Sequence, residues 1–150
     1  MITEVDDRNL TQAAEVHSVS WRESHRSFCT PEFVALHTPE RQRDYIRGKM
    51  EAGSRFFLLT KDAPVGIVSV KGSLIEDLYV LPEAQGKGLG TQLLRYAAAR
   101  CEGAPELWIL ENNEKAARLY RREGFRETGN VRRTPGGLDE IEMSLKEERK

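Results

Sequence analysis

Apolar residues along the chain follow two spacings, one helical and one extended, and together they predict an α/β fold. The first helical pattern consists of Leu10, Ala13, Ala14, His17 and Trp21. A second helix is predicted from Thr38, an N-cap residue type, and Pro39, a first-turn type, up to Gly53. A third apolar stripe starts at Leu89, and a short fourth helix covers residues 113–122.

Short runs rich in β-branched and aromatic residues supply the predicted strands. They cover residues 1–5, 56–60, 65–70, 74–81, 106–110, 125–133 and 138–145. The turn Lys61-Asp62-Ala63-Pro64 joins the second and third runs, which indicates a hairpin. The helix that starts at Leu89 lies between the fourth and fifth runs, so we expect those two strands to be parallel.

Composition limits the size and the partners of this fold. The chain has 150 residues, of which 39% are hydrophobic, so we expect residues 1–150 to form one domain with one core. Lys and Arg number 23 against 24 Asp and Glu, so the charge does not favour nonspecific nucleic-acid binding. The chain shows no run long enough to span a membrane and no secretion signal, which predicts no membrane partner and a cytoplasmic location. Cys29 and Cys101 are expected to be reduced, and no His or Cys pair has the spacing of a metal site.

A glycine-rich turn between a predicted strand and a predicted helix is the clearest candidate for a binding site. Its sequence is Gln85-Gly86-Lys87-Gly88-Leu89-Gly90. Backbone N–H groups at such a helix start attract phosphate oxygens, and glycines let a ligand approach closely. A P-loop is excluded because Lys87 is followed by Gly88, and a dinucleotide fingerprint is excluded because its glycine spacing differs.

The spacing resembles the acyl-CoA-binding motif of the GCN5-related N-acetyltransferases (GNAT), Gln/Arg-x-x-Gly-x-Gly/Ala, which Gln85, Gly88 and Gly90 match. A second stretch resembles the other signature of that family: Asn113-Glu114-Lys115-Ala116-Ala117-Arg118-Leu119-Tyr120, followed by Gly124-Phe125. The resemblance implies a three-layer α/β (α+β) fold, with a mixed, mostly antiparallel sheet flanked by helices. It also implies that the two central strands splay apart to admit the pantetheine arm.

Acetyl-CoA is the co-substrate that this resemblance implies, with no metal. The residues expected to bind it are Leu78, Tyr79, Val80, Gln85, Gly86, Lys87, Gly88, Leu89, Gly90, Thr91, Asn113 and Ala116. A backbone N–H near Val80 or Leu81 is expected to stabilise negative charge on the thioester oxygen.

Acetyl transfer to an amine needs a base for the ammonium group and an acid for the departing thiolate. Glu76 is the candidate base, and strand alternation predicts that it shares a face with Leu78 and Val80. Asp77 is then expected on the opposite face, as the rival base or as a substrate contact. Tyr120 occupies the position of the family's general acid. Trp21 and Phe28 are expected to form a wall of the acceptor pocket.

The sequence therefore predicts an acetyl-CoA-dependent N-acetyltransferase, acting on a primary amine of a small molecule, an amino acid or a peptide by direct transfer in a ternary complex. The alternative is a noncatalytic acyl-CoA-binding sensor or interaction module. A longer acyl donor or an oxygen acceptor is a third alternative. The resemblance is also compatible with a homodimer, but no residue identifies the acceptor, the acyl chain length or an interface.

Overall fold

The computed structural model describes residues 1–27, 29–134 and 137–145 and arranges their strands in one seven-stranded sheet. The strands are β1 (Ile2–Glu4), β2 (Arg55–Thr60), β3 (Pro64–Lys71), β4 (Leu74–Val80), β5 (Glu106–Leu110), β6 (Arg126–Arg133) and β7 (Asp139–Ser144). The helices are α1 (Leu10–His25), α2 (Pro31–Ala35), α3 (Pro39–Glu51), α4 (Leu89–Ala98) and α5 (Glu114–Arg122). Among the described residues, no helix is long and apolar enough to cross a membrane.

Strand order in the sheet is β1-β2-β3-β4-β5-β7-β6. The pair β4 and β5 is parallel, and the other neighbouring pairs are antiparallel. The parallel pair follows from the crossover through α4, as the sequence predicted. The predicted mixed, mostly antiparallel sheet is confirmed.

Helices cover both faces of the sheet, and each face has its own apolar cluster. Leu93 of α4 and Met143 of β7 belong to one cluster, whereas Leu10 of α1 and Ile46 of α3 belong to the other. Phe56 and Phe57 lie next to each other on β2 and enter opposite clusters, because successive side chains of a strand point to opposite faces. The result is the predicted three-layer arrangement.

Two helices begin with the same pair of residue types. The Thr38 hydroxyl accepts the backbone N–H of Arg41 at the start of α3, with Pro39 in the first turn. Thr30 and Pro31 start α2 in the same way, although α2 has only five residues and buries none of them. The sequence prediction found α3 and missed α2, because α2 has no apolar stripe and only its cap distinguishes it.

The central strands β4 and β5 pair over a very short length. Among the described residues, their registered pairing is confined to Leu74 and Glu106, at the starts of the two strands. Beyond this pair the strands separate toward their carboxyl ends. A parallel sheet that opens in this way exposes backbone groups of both strands to a ligand.

A β-bulge interrupts β4 and corrects one prediction about its faces. Ser69 pairs with Glu76 and Ile67 pairs with Tyr79, so Asp77 and Leu78 together lie opposite a single residue of β3. Asp77 has a φ of 49°, in the left-handed region. The extra residue places Asp77 on the same side of the strand as Glu76, toward α1 and α3, so the predicted opposite orientation of Glu76 and Asp77 was wrong. The predicted common face of Glu76 with Leu78 and Val80 was also wrong, because Leu78 and Val80 pack in the cluster on the other face of the sheet.

Candidate active site

A cleft of about 810 Å³ lies where β4 and β5 separate. The two strands form its walls, together with the start of α4 and one side of α5. Most of the predicted acetyl-CoA contacts line it: Leu78, Tyr79, Val80, Gln85, Gly86, Gly88, Leu89, Gly90, Thr91, Asn113 and Ala116. Lys87 is exposed and is not part of this lining within the described chain.

Backbone N–H groups of residues 86–91 have no partners among the described residues, and all of these residues except Lys87 line the cleft. Gly86 and Gly88 have φ values of 79° and 78°, in the left-handed region that glycine adopts at little cost. Gly88 is also the N-cap of α4 and offers no side chain to its first turn. Unpaired N–H groups at a helix start attract an anion, so this turn is suited to hold a diphosphate.

Gln85 connects the turn to both neighbouring elements. Its side-chain amide donates to the carbonyl oxygen of Val80 at 3.1 Å, and its amide oxygen accepts from Lys115 Nζ at 2.7 Å. The first links the turn to β4, and the second links it to α5. The predicted cofactor residue Gln85 therefore also fixes the position of the glycine turn.

The N–H groups of Val80 and Leu81, at the end of β4, are the two candidates to bind the thioester oxygen, and their hydrogen bonding distinguishes them. The Leu81 N–H donates to the carbonyl oxygen of Val65 at 2.8 Å and is already used. Backbone groups alternate in direction along an antiparallel pair, so the N–H of Val80 points away from β3 and toward the cleft. Val80 is consequently the better candidate of the two.

Asn113 and Tyr120 approach the cleft from α5. The Asn113 side chain caps the helix by accepting the Ala116 N–H at 3.2 Å, and both residues line the cleft. Tyr120 is 8% exposed and packs in the core near Phe125, yet it also lines the cleft. Burial raises the pKa of the Tyr120 phenol to about 12, so the phenol stays protonated near neutral pH.

Glu76 lines the cleft from β4 and accepts a hydrogen bond from Lys49 Nζ at 2.9 Å. Both side chains are a little more than one quarter exposed, so the ion pair is in contact with solvent. The helical pattern between Thr38 and Gly53 does not by itself connect Lys49 with Glu76. Regular pairing with Ser69 places Glu76 on the face of the sheet that α3 covers, and this brings it to Lys49.

Asp77 lies at the centre of a buried hydrogen-bond network. One oxygen accepts from His17 Nε2 at 3.0 Å, the other from the Ser69 hydroxyl at 3.1 Å, and the Tyr45 hydroxyl lies at 3.1 Å from both. Gln42 donates to the other ring nitrogen of His17 at 2.7 Å. Burial alone would raise the pKa of Asp77, but the bonds from His17, Tyr45 and Ser69 outweigh it and lower that pKa.

The predicted acceptor wall is only partly described. Trp21 stacks between the imidazole rings of His25 and His37, with ring centroids 3.8 and 3.5 Å away. Trp21 is not among the described residues that line the cleft. The same helix, α1, contributes Ser20, Ser24 and His25 to the lining, and Ser20 lies about one helical turn before the other two. Phe28 lies outside the described residues. Contact of Trp21 or Phe28 with an acceptor stays a prediction.

Sequence reasoning missed two features of the site. The His17 to Asp77 network joins residues that are 60 positions apart, and no local pattern signals it. Lys115, Arg118 and Arg122 also line the cleft, and their helical spacing could have shown that they share a face of α5.

Within the part of the chain that the structure describes, no group of three or more His, Cys, Asp or Glu residues could hold a metal ion.

Comparison with known proteins identifies relatives of this chain. A family model described as Acetyltransferase (GNAT) domain matches residues 52–127, which include β4, the glycine turn and α5. The peptidyl-lysine N-acetyltransferase YjaB of Escherichia coli (strain K12) is 30% identical over 103 residues, covering 67% of this chain and 68% of that protein.

Solved structures show the same fold at lower sequence identity. The PaiA N-acetyltransferase of Thermoplasma acidophilum in complex with coenzyme A has a TM-score of 0.68 at 19% identity, covering 95% of this chain and 98% of that one. YncA of Salmonella typhimurium with acetyl-CoA, a putative acetyltransferase by its description, has a TM-score of 0.69 at 21% identity. That match covers 100% of this chain and 96% of the other.

Proposed function

Because the chain belongs to the GNAT acetyltransferase family, we propose that it transfers the acetyl group of acetyl-CoA directly to a primary amine. The acceptor is a small molecule, an amino acid or a peptide, and both substrates are bound together in the cleft. One observation carries the proposal: the candidate base Glu76 and the candidate acid Tyr120 line the same cleft as the glycine turn.

Two parts of acetyl-CoA, the diphosphate and the pantetheine arm, match groups that the cleft presents. Residues 86–91 offer unpaired N–H groups to the diphosphate, and the separated β4 offers its backbone to the extended pantetheine arm. Asn113 and Ala116 line the cleft from α5, where they are available to the same arm. When bound, acetyl-CoA supplies a thioester carbonyl, and the Val80 N–H is placed to stabilise the negative charge that develops on its oxygen.

Glu76 is the proposed base, because it lines the cleft and remains partly exposed. Its carboxylate takes a proton from the acceptor ammonium and leaves a neutral amine that can attack. Asp77 is less suited to this step, since both its oxygens already accept protein hydrogen bonds. We assign two other roles to Asp77: its hydrogen bonds stabilise the bulge, and its negative charge attracts the cationic acceptor.

Tyr120 is the proposed acid. Its phenol is protonated near neutral pH, and no hydrogen bond within the described residues competes for its proton. The proton passes to the thiolate that leaves when the thioester breaks. Neither Cys29 nor Cys101 lines the cleft within the described chain, which supports direct transfer over a covalent acetyl-cysteine route.

An alkylammonium group is the acceptor type that the Glu76 environment favours. Lys49 already presents one to Glu76 at 2.9 Å, so the carboxylate accepts this geometry. The name of the E. coli relative, a peptidyl-lysine N-acetyltransferase, supports peptide lysine as one acceptor to test first. An acceptor ammonium must compete with Lys49 for Glu76, and the partly exposed ion pair costs little to open.

Thiol release from acetyl-CoA tests this proposal when it is followed with and without an acceptor panel. The panel holds lysine peptides, N-terminal peptides, polyamines, amino acids and aminoglycosides, and calorimetry measures acetyl-CoA binding in parallel. We expect binding and acceptor-dependent thiol release. Binding without release for any acceptor would favour the noncatalytic module, and no binding would overturn the assignment of the cleft.

A further inference from the structure

A basic stripe on α5 forms part of the cleft lining. It consists of Lys115, Arg118 and Arg122, which lie three and four positions apart and so share one side of the helix. The stripe lies beside the glycine turn, because Lys115 bonds to Gln85 and because α4 and α5 pack together where Leu119 approaches Gly90.

Charges that line the cleft do not balance. The three acidic residues of the lining are each paired within the protein: Glu76 with Lys49, Asp77 with His17 and Glu140 with Arg132. Lys115 bonds to a neutral amide. Arg118 and Arg122 have no hydrogen-bond or ion-pair partner within the described residues, although both line the cleft.

A solvated helix face would also carry exposed arginines, and α5 provides an internal comparison. Arg121 lies between the two stripe arginines in sequence and is exposed as they are, but it is outside the cleft lining. Glu123, which follows Arg122 in sequence, forms its ion pair with Arg95 of α4, and it interacts with Arg122 only through space. Within the described residues, the cleft therefore presents two guanidinium groups to which no protein carboxylate is directly bonded.

Coenzyme A carries two anionic groups, a diphosphate and a ribose 3′-phosphate. The diphosphate matches the row of N–H groups at residues 86–91, which needs no cationic side chain. The 3′-phosphate is a monoester with a charge of roughly −1.5 to −2 near neutral pH, and guanidinium groups bind such a group through two parallel hydrogen bonds. We propose that Arg118 and Arg122 bind the 3′-phosphate and make the protein select coenzyme A over dephospho-coenzyme A.

This inference rests on the proposed function only in placing coenzyme A in the cleft. Calorimetric titration of coenzyme A and of dephospho-coenzyme A, at one fixed ionic strength, separates it from the transferase reaction. The proteins to compare are the wild type, the double variant Arg118→Gln/Arg122→Gln and the control Arg121→Gln. Glutamine keeps a high helix propensity at these exposed positions, so the fold should persist, and circular dichroism checks it.

We expect the wild type and Arg121→Gln to bind coenzyme A about tenfold more tightly than dephospho-coenzyme A. In the double variant this ratio should fall to about one, while the dissociation constant of dephospho-coenzyme A stays within about twofold of the wild-type value. A ratio that is unchanged in the double variant would overturn the proposal. Equal weakening of both ligands would also overturn it, because the arginines would then contact another part of coenzyme A.

A wild type that binds both ligands equally would exclude any 3′-phosphate site and leave the transferase proposal untouched. If the wild type binds neither ligand, the cleft is not a coenzyme A site, and the proposed function fails together with this inference. Failure of this inference is thereby distinct from failure of the proposed function.

Discussion

Tyr120 combines a core position with access to the cleft, and its phenol is the group on which the acid step depends. Tyr120→Phe keeps the ring packing against Phe125 and removes only the hydroxyl. We expect kcat to fall about 100-fold, with the dissociation constant of acetyl-CoA changed by less than about twofold. Steady-state kinetics and calorimetry measure the two effects.

Two further observations test this assignment of Tyr120. Tyr96→Phe is the matched control, because Tyr96 lies outside the cleft lining of the described chain and should tolerate the change. The raised pKa of about 12 keeps Tyr120 protonated, so the wild-type rate should show no alkaline decline below about pH 10 from this group. A kcat of Tyr120→Phe equal to that of the wild type would remove Tyr120 from the mechanism.

Glu76 can be tested apart from the ion pair that it forms. Glu76→Gln removes both the base and the ion pair with Lys49, whereas Lys49→Gln removes the ion pair alone. We expect kcat/KM to fall about 100-fold in Glu76→Gln near neutral pH and to change by less than about fivefold in Lys49→Gln. Equal losses in the two variants would mean that the ion pair matters and that Glu76 is not the base.

The location of the motif residues at the cleft was the part of the site that the sequence predicted best, whereas their roles stay predictions. Gln85, Asn113 and Tyr120 lie at the cleft as their motifs indicated, since the motif spacing ties each residue to a helix end or helix face. Lys49 and His17 were not connected with the site. Their contacts depend on how α1 and α3 pack on β4, which local sequence does not encode.

At the scale of elements, the bulge in β4 places the Asp77 carboxylate on the same side of the strand as that of Glu76. Glu76 and Asp77 are consecutive polar residues in an otherwise largely apolar strand, and this break in alternation is the signal that sequence reasoning passed over. Aspartate tolerates the left-handed region better than most residues do, which suits Asp77 to the bulge. The network from His17, Tyr45 and Ser69 then holds its side chain.

The stability of this bulge should depend on pH through Asp77. Its lowered pKa means that the ionised carboxylate stabilises the fold fully above about pH 4, and that this contribution is lost as the pH falls further. Asp77→Asn should cost about 2 kcal/mol of unfolding free energy near neutral pH, because an amide cannot accept all the bonds. The difference from the wild type should shrink below about pH 4.

Urea unfolding at several pH values measures this difference. Asp62→Asn, in the exposed turn between β2 and β3, is the control and should be nearly neutral throughout. A difference between Asp77→Asn and the wild type that stays constant down to about pH 3 would show that the carboxylate charge contributes nothing.

Two glycines of the turn should respond differently to the same substitution. Gly88 has a φ of 78°, so alanine there is strained although its methyl group meets open space. Gly90 has room for a methyl group, which would contact Leu119 at an ordinary distance of 3.6 Å. Gly88→Ala should cost about 1 kcal/mol of stability and weaken acetyl-CoA binding about tenfold, because the row of N–H groups is displaced.

Gly90→Ala serves as the control for Gly88→Ala, and its stability should stay within about 0.5 kcal/mol of the wild-type value. Thermal unfolding and calorimetry measure both variants. Equal acetyl-CoA affinities in Gly88→Ala and the wild type would show that the left-handed conformation of the turn is not needed for binding.

For the whole molecule, the splayed pair of strands is the feature that joins fold and function. The pairing of β4 and β5 at Leu74 and Glu106 closes one end of the sheet, and their separation opens the cleft at the other. The crossover through α4 predicted that the strands are parallel, but the splay came only from the family resemblance. Single-domain organisation over residues 1–150 and the homodimer stay predictions.

Single-turnover analysis by intact-mass spectrometry distinguishes direct acetyl transfer from a covalent acetyl-protein route. The protein is mixed in excess with acetyl-CoA, with and without an amine acceptor taken from the panel. We expect the thioester to be consumed only when the acceptor is present, the acetyl group to appear on the acceptor amine, and the protein mass to stay unchanged. An intact thioester with every acceptor, or acetyl-protein formed before the acceptor is added, would contradict direct transfer in this cleft.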